Sequence, residues 1–554
     1  MNRDEHSVLV GGQAGDGVMQ AGNIAARLFN RLGYWVFVYA DYPSLIRGGH
    51  NFAIVRASAR RVLAHNDQVD ILVALNQDTF EKHKWRLKED STVIFDQSKV
   101  KAEGLGLPLG EIVKNRNLPA VVRNVGALGA LACLFDVSFA TVEDVVRATV
   151  SRSIEENVAV AKEAYDLTEK SRGDHPVIGL GSAPRPLLSG NEALGLGAVS
   201  AGMKLYVAYP MTPTSNILHY LSEKADSLNI TVIQPENEIA AIGMAEGAAY
   251  AGVRAMVGTS GGGFDLMVEH LSLAGQAEIP VVAVLGQRPG PSTGVPTHTA
   301  QGDLLYAIFS GHGEFPKVVI SPGDAEEALR LSRDAMNLAW RFQVPVILLT
   351  DKHLCESIYS VVLEDDEPHI EGGDIWGGQG QYKRYLSTDN GVSPLAFPGT
   401  EGATIKSVSY EHDEYGITTE SPDLIAKDHE KRLRKEKTIE EELRKRETVR
   451  TYGSDDSKGL IVTWGSTKGA AVEVGERYGL KVVQPLYLNP LPVWALNDHL
   501  RTATKVVSVE TNSGAGLATW LRYHGFKVDQ SILKYDGRPF TTDELEKRVR
   551  EVFK

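Results

Sequence analysis

Leu205-Tyr206-Val207-Ala208-Tyr209-Pro210-Met211-Thr212-Pro213-Thr214-Ser215 is the stretch that decides the fold of this chain. A short apolar strand runs into a turn with two prolines, and a helical stretch, Asn216 to Ala225, follows. Strand, loop and helix in that order are the repeating unit of an α/β fold. The loop lies at the carboxyl end of its strand, where open α/β sheets bind ligands. Its prolines stiffen it, and Thr212, Thr214 and Ser215 bring hydroxyls. The helix start adds backbone N–H groups, which suit a carboxylate. Taken alone, the stretch reads as an N-capped helix after a Pro-rich turn.

Its neighbours change that reading. Gln234-Pro235-Glu236-Asn237-Glu238 ends another strand and enters the helix Ile239 to Ala251. Gly258-Thr259-Ser260-Gly261-Gly262-Gly263-Phe264 ends a third strand. Gly286-Gln287-Arg288-Pro289-Gly290-Pro291-Ser292-Thr293-Gly294-Val295-Pro296-Thr297 ends a fourth. Consecutive strand ends thus supply a carboxylate, an arginine, hydroxyls and bare backbone, and convergence of that kind is what a site requires.

Outward from this block, the chain reads as three parallel-sheet α/β domains. The first, residues 1–178, has strands at Ser7 to Val10, Trp35 to Ala40, Phe52 to Val55, Val69 to Leu75 and Thr92 to Phe95, with helical stretches such as Val18 to Leu32 between them. A Gly-, Pro- and Ser-rich linker, 179–190, follows. The second domain, 191–363, opens on the helix Asn191 to Ala201 and adds strands at Lys317 to Ile320 and Val344 to Leu349. Residues 364–457 read as a charged connector, with Lys427 to Arg450 a solvated helix or hairpin arm. The third domain, 458–554, has strands near Gly459 to Thr463, Leu480 to Gln484 and Lys505 to Val509.

The bulk numbers exclude several classes. The 554 residues predict about three or four domains. A net charge of -13 argues against a general nucleic-acid binder. No apolar run is long enough for a membrane span, and the polar start Met1 to His6 has no signal-like region. Cys133 and Cys355 are the only cysteines, which fits a reducing cytoplasm and rules out a disulfide framework. A cysteine-held iron–sulfur cluster needs about four thiolates, so this chain builds none alone.

The first block carries Gly11-Gly12-Gln13-Ala14-Gly15-Asp16-Gly17 between a strand and a helix, an anion-binding arrangement. Asp41 ends the second strand, where a dinucleotide fold places its ribose-binding acid. The fingerprint itself fails, because Gln20 stands where the third glycine belongs. Gly15-Asp16-Gly17 also resembles a magnesium-binding GDG motif. No asparagine follows at the required spacing, since 41–45 read Asp-Tyr-Pro-Ser-Leu, so no metal is placed here. Arg47-Gly48-Gly49-His50-Asn51 suits a phosphorylated ligand or a subunit contact.

With these motifs in view, the chain resembles the alpha subunit of 2-oxoacid:ferredoxin oxidoreductases, in the form with a gamma domain fused at its N-terminus. The family loop YPITPSS or YPITPAS reads YPMTPTS here, from Tyr209 to Ser215. The family's SGPG turn is Ser260-Gly261-Gly262-Gly263, with Gly262 replacing proline. The GPSTG-x-PT stretch matches fully at Gly290 to Thr297. The RGG element of the gamma domain is Arg47 to Gly49, and the last block resembles a transketolase C-terminal-like domain.

The resemblance implies decarboxylation of a 2-oxoacid, 2-oxoglutarate before pyruvate or a broad range, on thiamine diphosphate shared with a beta subunit. The same reaction run backwards is a reductive carboxylation. The resemblance assigns the glutamate facing the aminopyrimidine ring to Glu238, with Glu236 as runner-up. It points to Arg288 and Thr212, with Thr297, as the groups that hold the 2-oxoacid. It places thiamine against Tyr209, Pro210, Glu238, Thr259, Ser260 and Gly261. The missing thiolates and metal motif assign Mg2+ and a [4Fe-4S] cluster to the beta subunit, in a dimer of alpha–beta heterodimers reducing ferredoxin. Coenzyme A is the acyl acceptor, with Gly12, Gly15, Gly17 and Arg47 offered as its contacts. His219, His298 and Lys352 are candidates for a second substrate carboxylate. The rival readings are a dinucleotide-dependent dehydrogenase using the first glycine loop, and a non-enzymatic scaffold.

Overall fold

Strands Ala255–Ser260, Val281–Gln287 and Pro345–Asp351 are buried along their whole length. Continuous burial of this kind, with apolar runs at Val281 to Leu285 and Val346 to Leu349, belongs to parallel strands covered by helices on both faces. The computed structural model describes residues 4–44, 48–171, 181–363, 369–457 and 459–553. Two units emerge: Met1–Leu188 with Ser357–Leu363 and Thr541–Lys547, and Ser189–Glu356 with Glu364–Phe540 and Arg548–Lys554.

The second unit holds two sheets. In the larger, the strand order is Tyr487–Asn489, Val318–Ile320, Pro345–Asp351, Val281–Gln287, Ala255–Ser260, Leu205–Val207 and Thr231–Ile233. All neighbours are parallel except the first pair. The register sets Ser260 beside Gly286 and Gly286 beside Thr350, so the three central strands end level. The smaller sheet runs Val449–Tyr452, Lys481–Pro485, Gly459–Thr463, Lys505–Glu510 and Gln530–Leu533, parallel but for its first strand. Phe264, Met267 and Leu285 pack in one core with Val462, Trp464 and Leu517, which joins the two sheets.

The first unit is built on an eight-stranded sheet in which Glu5–Ala14 lies between Val69–Ala74 and Gly48–Ser58. Here the expectation of a parallel sheet needs correction. Gly48–Ser58 pairs antiparallel with both Glu5–Ala14 and Trp35–Asp41. The strand after the first helix is therefore not the neighbour of the strand before it. Alternation along the chain predicts α/β, but an inserted hairpin strand is invisible to it. The fold remains α/β, with three mixed, mostly parallel sheets among the described residues.

The charged stretch departs from the solvated reading. Pro422–Leu443 is one helix, and Lys431, Arg432 and Lys435 on it are buried. Lys431 Nζ donates to Glu278 Oε1 at 2.5 Å, and Lys435 Nζ reaches Glu278 Oε2. Burial alone acts to raise the Glu278 carboxyl, but Lys431, Lys435 and Arg384 outweigh it and hold it well below the usual carboxylate range. Among the described residues, no helix is long and apolar enough to cross a membrane.

Candidate functional site

Two glycines let the decisive loop lie across the sheet end. A Cβ on Gly286 would stand 2.6 Å from Thr214 Cγ2, and one on Gly258 would stand 2.3 Å from Tyr206 Oη. Thr214 is buried, and its N–H and hydroxyl both donate to the Met211 carbonyl, at 3.0 and 3.1 Å. Asn191 Nδ2 donates to the Pro213 carbonyl at 2.9 Å, and the Thr212–Pro213 peptide is cis. The helix that follows is Ser215–Leu228, and Tyr209 stays partly exposed at the mouth.

Glu238 opens the helix Glu238–Tyr250, whose start is capped by Asn237 Oδ1 accepting from Ala240 N–H at 2.9 Å. Glu238 is 3% exposed, and among the described residues its Oε1 has no hydrogen-bond partner. A Cβ on Gly263 would come within 2.4 Å of that oxygen and 2.1 Å of Thr259 Oγ1. The carboxylate thus lies hard against the Ser260–Gly263 turn. Ser260 is fully buried, and its hydroxyl is also without a partner among the described residues. Glu236, by contrast, is exposed. A buried carboxylate lacking a donor costs free energy that a bound N–H group would recover.

Arg288 leans back over the same loop, and its Nη1 donates to the Thr212 carbonyl at 2.8 Å. It is half-buried, which pulls its pKa below the ordinary arginine value. Its remaining N–H groups make no hydrogen bond among the described residues. Thr297 is buried, but its hydroxyl meets His298 Nδ1 at 3.2 Å, and nothing joins it to Arg288 or Thr212 among the described residues. His219 is exposed on its helix, and Lys352 is buried against Glu356 at 3.5 Å. So Thr212 and Arg288 come together, Glu238 joins Thr259 and the glycine turn, and Thr297, His219 and Lys352 stand apart.

Sequence reading missed the wall beside Arg288. A cavity of about 180 Å³ is lined by Arg288, Gly261, Asp265, Asp303 and Tyr306 among others. Burial, with the Asp265 charge nearby, pushes the Asp303 carboxyl up to about 6. Asp265 and Asp303 belong to no motif. Asp303 is fixed instead by a tertiary contact, its N–H donating to Gln287 Oε1 at 2.9 Å.

In the first unit, Gly15 and Gly17 have φ of +98° and +72°, which glycine adopts freely. Asp16 closes the turn: Oδ2 accepts from Gln13 N–H at 3.0 Å and Oδ1 pairs with Arg123 at 2.9 Å. Space beside Gly15 is open. Gly12 is packed against Asp16, where a Cβ would meet Oδ2 at 2.9 Å. Arg47 lies outside the described residues. Asp41 accepts a hydrogen bond from Tyr39 Oη at 2.9 Å, on a strand separated from the glycine-loop strand by Gly48–Ser58. A dinucleotide fold needs those two strands adjacent, so the dehydrogenase reading loses its geometry.

Comparison with known proteins agrees with the strand-end loops. Residues 196–431 match the family model described as pyruvate flavodoxin/ferredoxin oxidoreductase, thiamine diphosphate-binding. Residues 7–167 match that of pyruvate ferredoxin/flavodoxin oxidoreductase. The 2-oxoacid:ferredoxin oxidoreductase subunit alpha of a Sulfolobus species is 32% identical over 99% of this chain and 97% of its own length. The 2-oxoglutarate oxidoreductase subunit KorA of Mycobacterium tuberculosis is 28% identical over 97% of this chain and 90% of its own. Among solved structures, the 2-oxoglutarate:ferredoxin oxidoreductase of Magnetococcus marinus, with 2-oxoglutarate, coenzyme A and succinyl-CoA bound, aligns with a TM-score of 0.91. It is 30% identical and covers 100% of both chains. Likeness over the full length makes the chain a member of the 2-oxoacid:ferredoxin oxidoreductase alpha-subunit family, a family of oxidoreductases.

Proposed function

We propose that this chain binds the 2-oxoacid and the aminopyrimidine half of thiamine diphosphate, and works only with a beta subunit. The favoured substrate is 2-oxoglutarate, converted to its acyl-coenzyme A and CO2 with electrons passed to ferredoxin. A pyruvate or broad 2-oxoacid range is the second reading, favoured by the names of both family models. Support for 2-oxoglutarate comes from the Magnetococcus marinus structure, which was solved with that substrate and with coenzyme A. Domains 191–363 and 458–554 serve in this reading as the pyrimidine-type and transketolase C-terminal-like domains, behind a gamma-like domain at 1–178 and joined through 364–457.

The observation that carries the proposal is the buried Glu238 carboxylate with its unpartnered Oε1. Such an acceptor fits a ring nitrogen that must be held and protonated. Thiamine diphosphate, when bound, supplies the electron sink for decarboxylation. Glu238 holds a proton at the aminopyrimidine nitrogen, and its burial against the Ser260–Gly263 turn excludes water. Thr259, Ser260, Gly261, Tyr209 and Pro210 form the remaining wall for the ring. Arg288, pinned on Thr212, offers its free N–H groups to the substrate carboxylate, a charge-assisted and directional contact.

Diphosphate, Mg2+ and a [4Fe-4S] cluster belong to the beta subunit in this reading, since a cysteine-held cluster needs about four thiolates and this chain has two cysteines. The glycine loop at Gly12, Gly15 and Gly17, with Arg47, is the proposed coenzyme A contact, in a cytoplasmic dimer of heterodimers. The test is to co-purify the pair and measure thiamine diphosphate affinity by calorimetry alongside turnover. Glu238→Ala should weaken thiamine binding and abolish turnover. Full turnover with unchanged affinity would refute the assignment.

A further inference from the structure

The helix Pro422–Leu443 borders a cavity of about 230 Å³ that takes no part in the proposed chemistry. His412 lines it and is wholly buried, its ring stacked on Tyr385 with 3.7 Å between centroids. His412 Nδ1 lies 3.1 Å from the Asp413 carbonyl, which can only accept, so Nδ1 carries the ring proton. In the neutral ring Nε2 is therefore an acceptor. Among the described residues it has no hydrogen-bond partner, and it faces another acceptor, Asp428 Oδ2, at 3.6 Å. Burial holds the Asp428 carboxyl above the usual carboxylate range, even with His412 and Arg432 beside it. Arg432 is divided between Asp428 and Glu411. Most other charges lining the cavity are already matched. Glu414 pairs with Lys383 at 2.8 Å and Lys431 with Glu278 at 2.5 Å. Asp413 Oδ1 accepts from the N–H groups of Tyr415 and Ile417, and Lys427 is exposed.

We propose that this cavity binds a small organic cation: a free amine whose ammonium group donates to His412 Nε2 and Asp428 and whose apolar body lies against Tyr415 and Leu424. Two acceptors that face each other without a donor cost free energy, and a group that only donates recovers it. An ammonium is such a group, with three donors and no acceptor. The rings of Tyr385 and Tyr415 favour a cation further, through the negative faces of their π-systems. Among the described residues no three side chains of metal-ligating type come together, so an organic cation suits the pair better than a metal ion. The site lies apart from Glu238 and Arg288 in its lining, and the inference does not depend on the thiamine reading.

The test is a ligand-observed NMR titration of the complete alpha–beta enzyme with benzylammonium, and with benzyl alcohol as its uncharged match in shape. It is run at about pH 8, where an ordinary imidazole is neutral. Benzylammonium should bind at least about tenfold more tightly than the alcohol. Asp428→Asn should bring the two probes to within about twofold of each other. Because that change also disturbs Arg432, a second variant is placed at the surface. Leu424 is 38% exposed, so Leu424→Trp fills the cavity without burdening the core. It should weaken benzylammonium by about tenfold or more while turnover stays at the parent level. Equal binding of the two probes, as a His412 protonated toward Asp428 would give, overturns the inference. So does benzylammonium binding that Leu424→Trp leaves unmoved. Binding by the full alpha chain that disappears in the alpha–beta enzyme would mean that a partner side chain fills the cavity, and overturns the free-amine reading equally.

Discussion

Glu238 and Glu236 stand two residues apart in one loop, and burial separates them. The first is enclosed against Gly263 with an oxygen to spare, and the second faces solvent. We expect Glu238→Gln to lower kcat by about 100-fold or more, the scale of a lost proton-handling group. Glu236→Gln should leave kcat within about twofold; steady-state turnover of the assembled enzyme checks both. Arg288→Ala should raise KM by about 10- to 100-fold with a smaller change in kcat, as loss of one charge-assisted contact requires. Progress curves across substrate concentration decide it, and an unaltered KM would remove Arg288 from the site. These residues were legible because each sits where a strand stops and a glycine or proline turn begins. Asp303 was not, since what places it is the hydrogen bond its N–H donates to Gln287 Oε1, sixteen positions away.

At the scale of elements, glycine placement and one buried charge cluster hold the site up. Gly286→Ala would press a methyl group on Thr214 and Pro213. The expected cost is about 1–3 kcal/mol, as for overpacking elsewhere, read as a lower unfolding midpoint in denaturant. The helix Pro422–Leu443 makes a different prediction. Glu278→Gln leaves the Lys431 and Lys435 ammonium groups buried without their carboxylate. Breaking a buried pair from one side costs about 3–5 kcal/mol, so this variant should unfold well before the parent in the same titration. A midpoint equal to that of the parent would contradict the packing described. The helix itself was legible in its charge run, but its burial was not. Glu278 lies 153 residues away, and local charge density cannot announce a distant partner. The same holds for Gly48–Ser58: its strand character was plain at Phe52 to Val55, yet only long-range pairing tells that it runs antiparallel between two others.

On the proposed reading, the whole chain carries half of a reaction centre. Its second unit gathers a carboxylate, an arginine and bare backbone at level strand ends, while its two cysteines lie buried and far from a cluster-binding pattern. The alpha-subunit family to which it belongs implies a partner subunit. Purified alone, the chain should be colourless and inert toward dyes, and bound flavin absorbance would instead favour the dehydrogenase reading. In the proposed function, this site works only when a partner completes it. Its most direct measurement is reduction of a low-potential viologen dye by the co-purified pair, with 2-oxoglutarate and coenzyme A added singly and together, beside this chain alone with NAD+ or NADP+. Rapid dye reduction is expected from the pair only when both substrates are present, and none from the chain alone. Nicotinamide reduction by the isolated chain, or a pair indifferent to 2-oxoacids and coenzyme A, would contradict it.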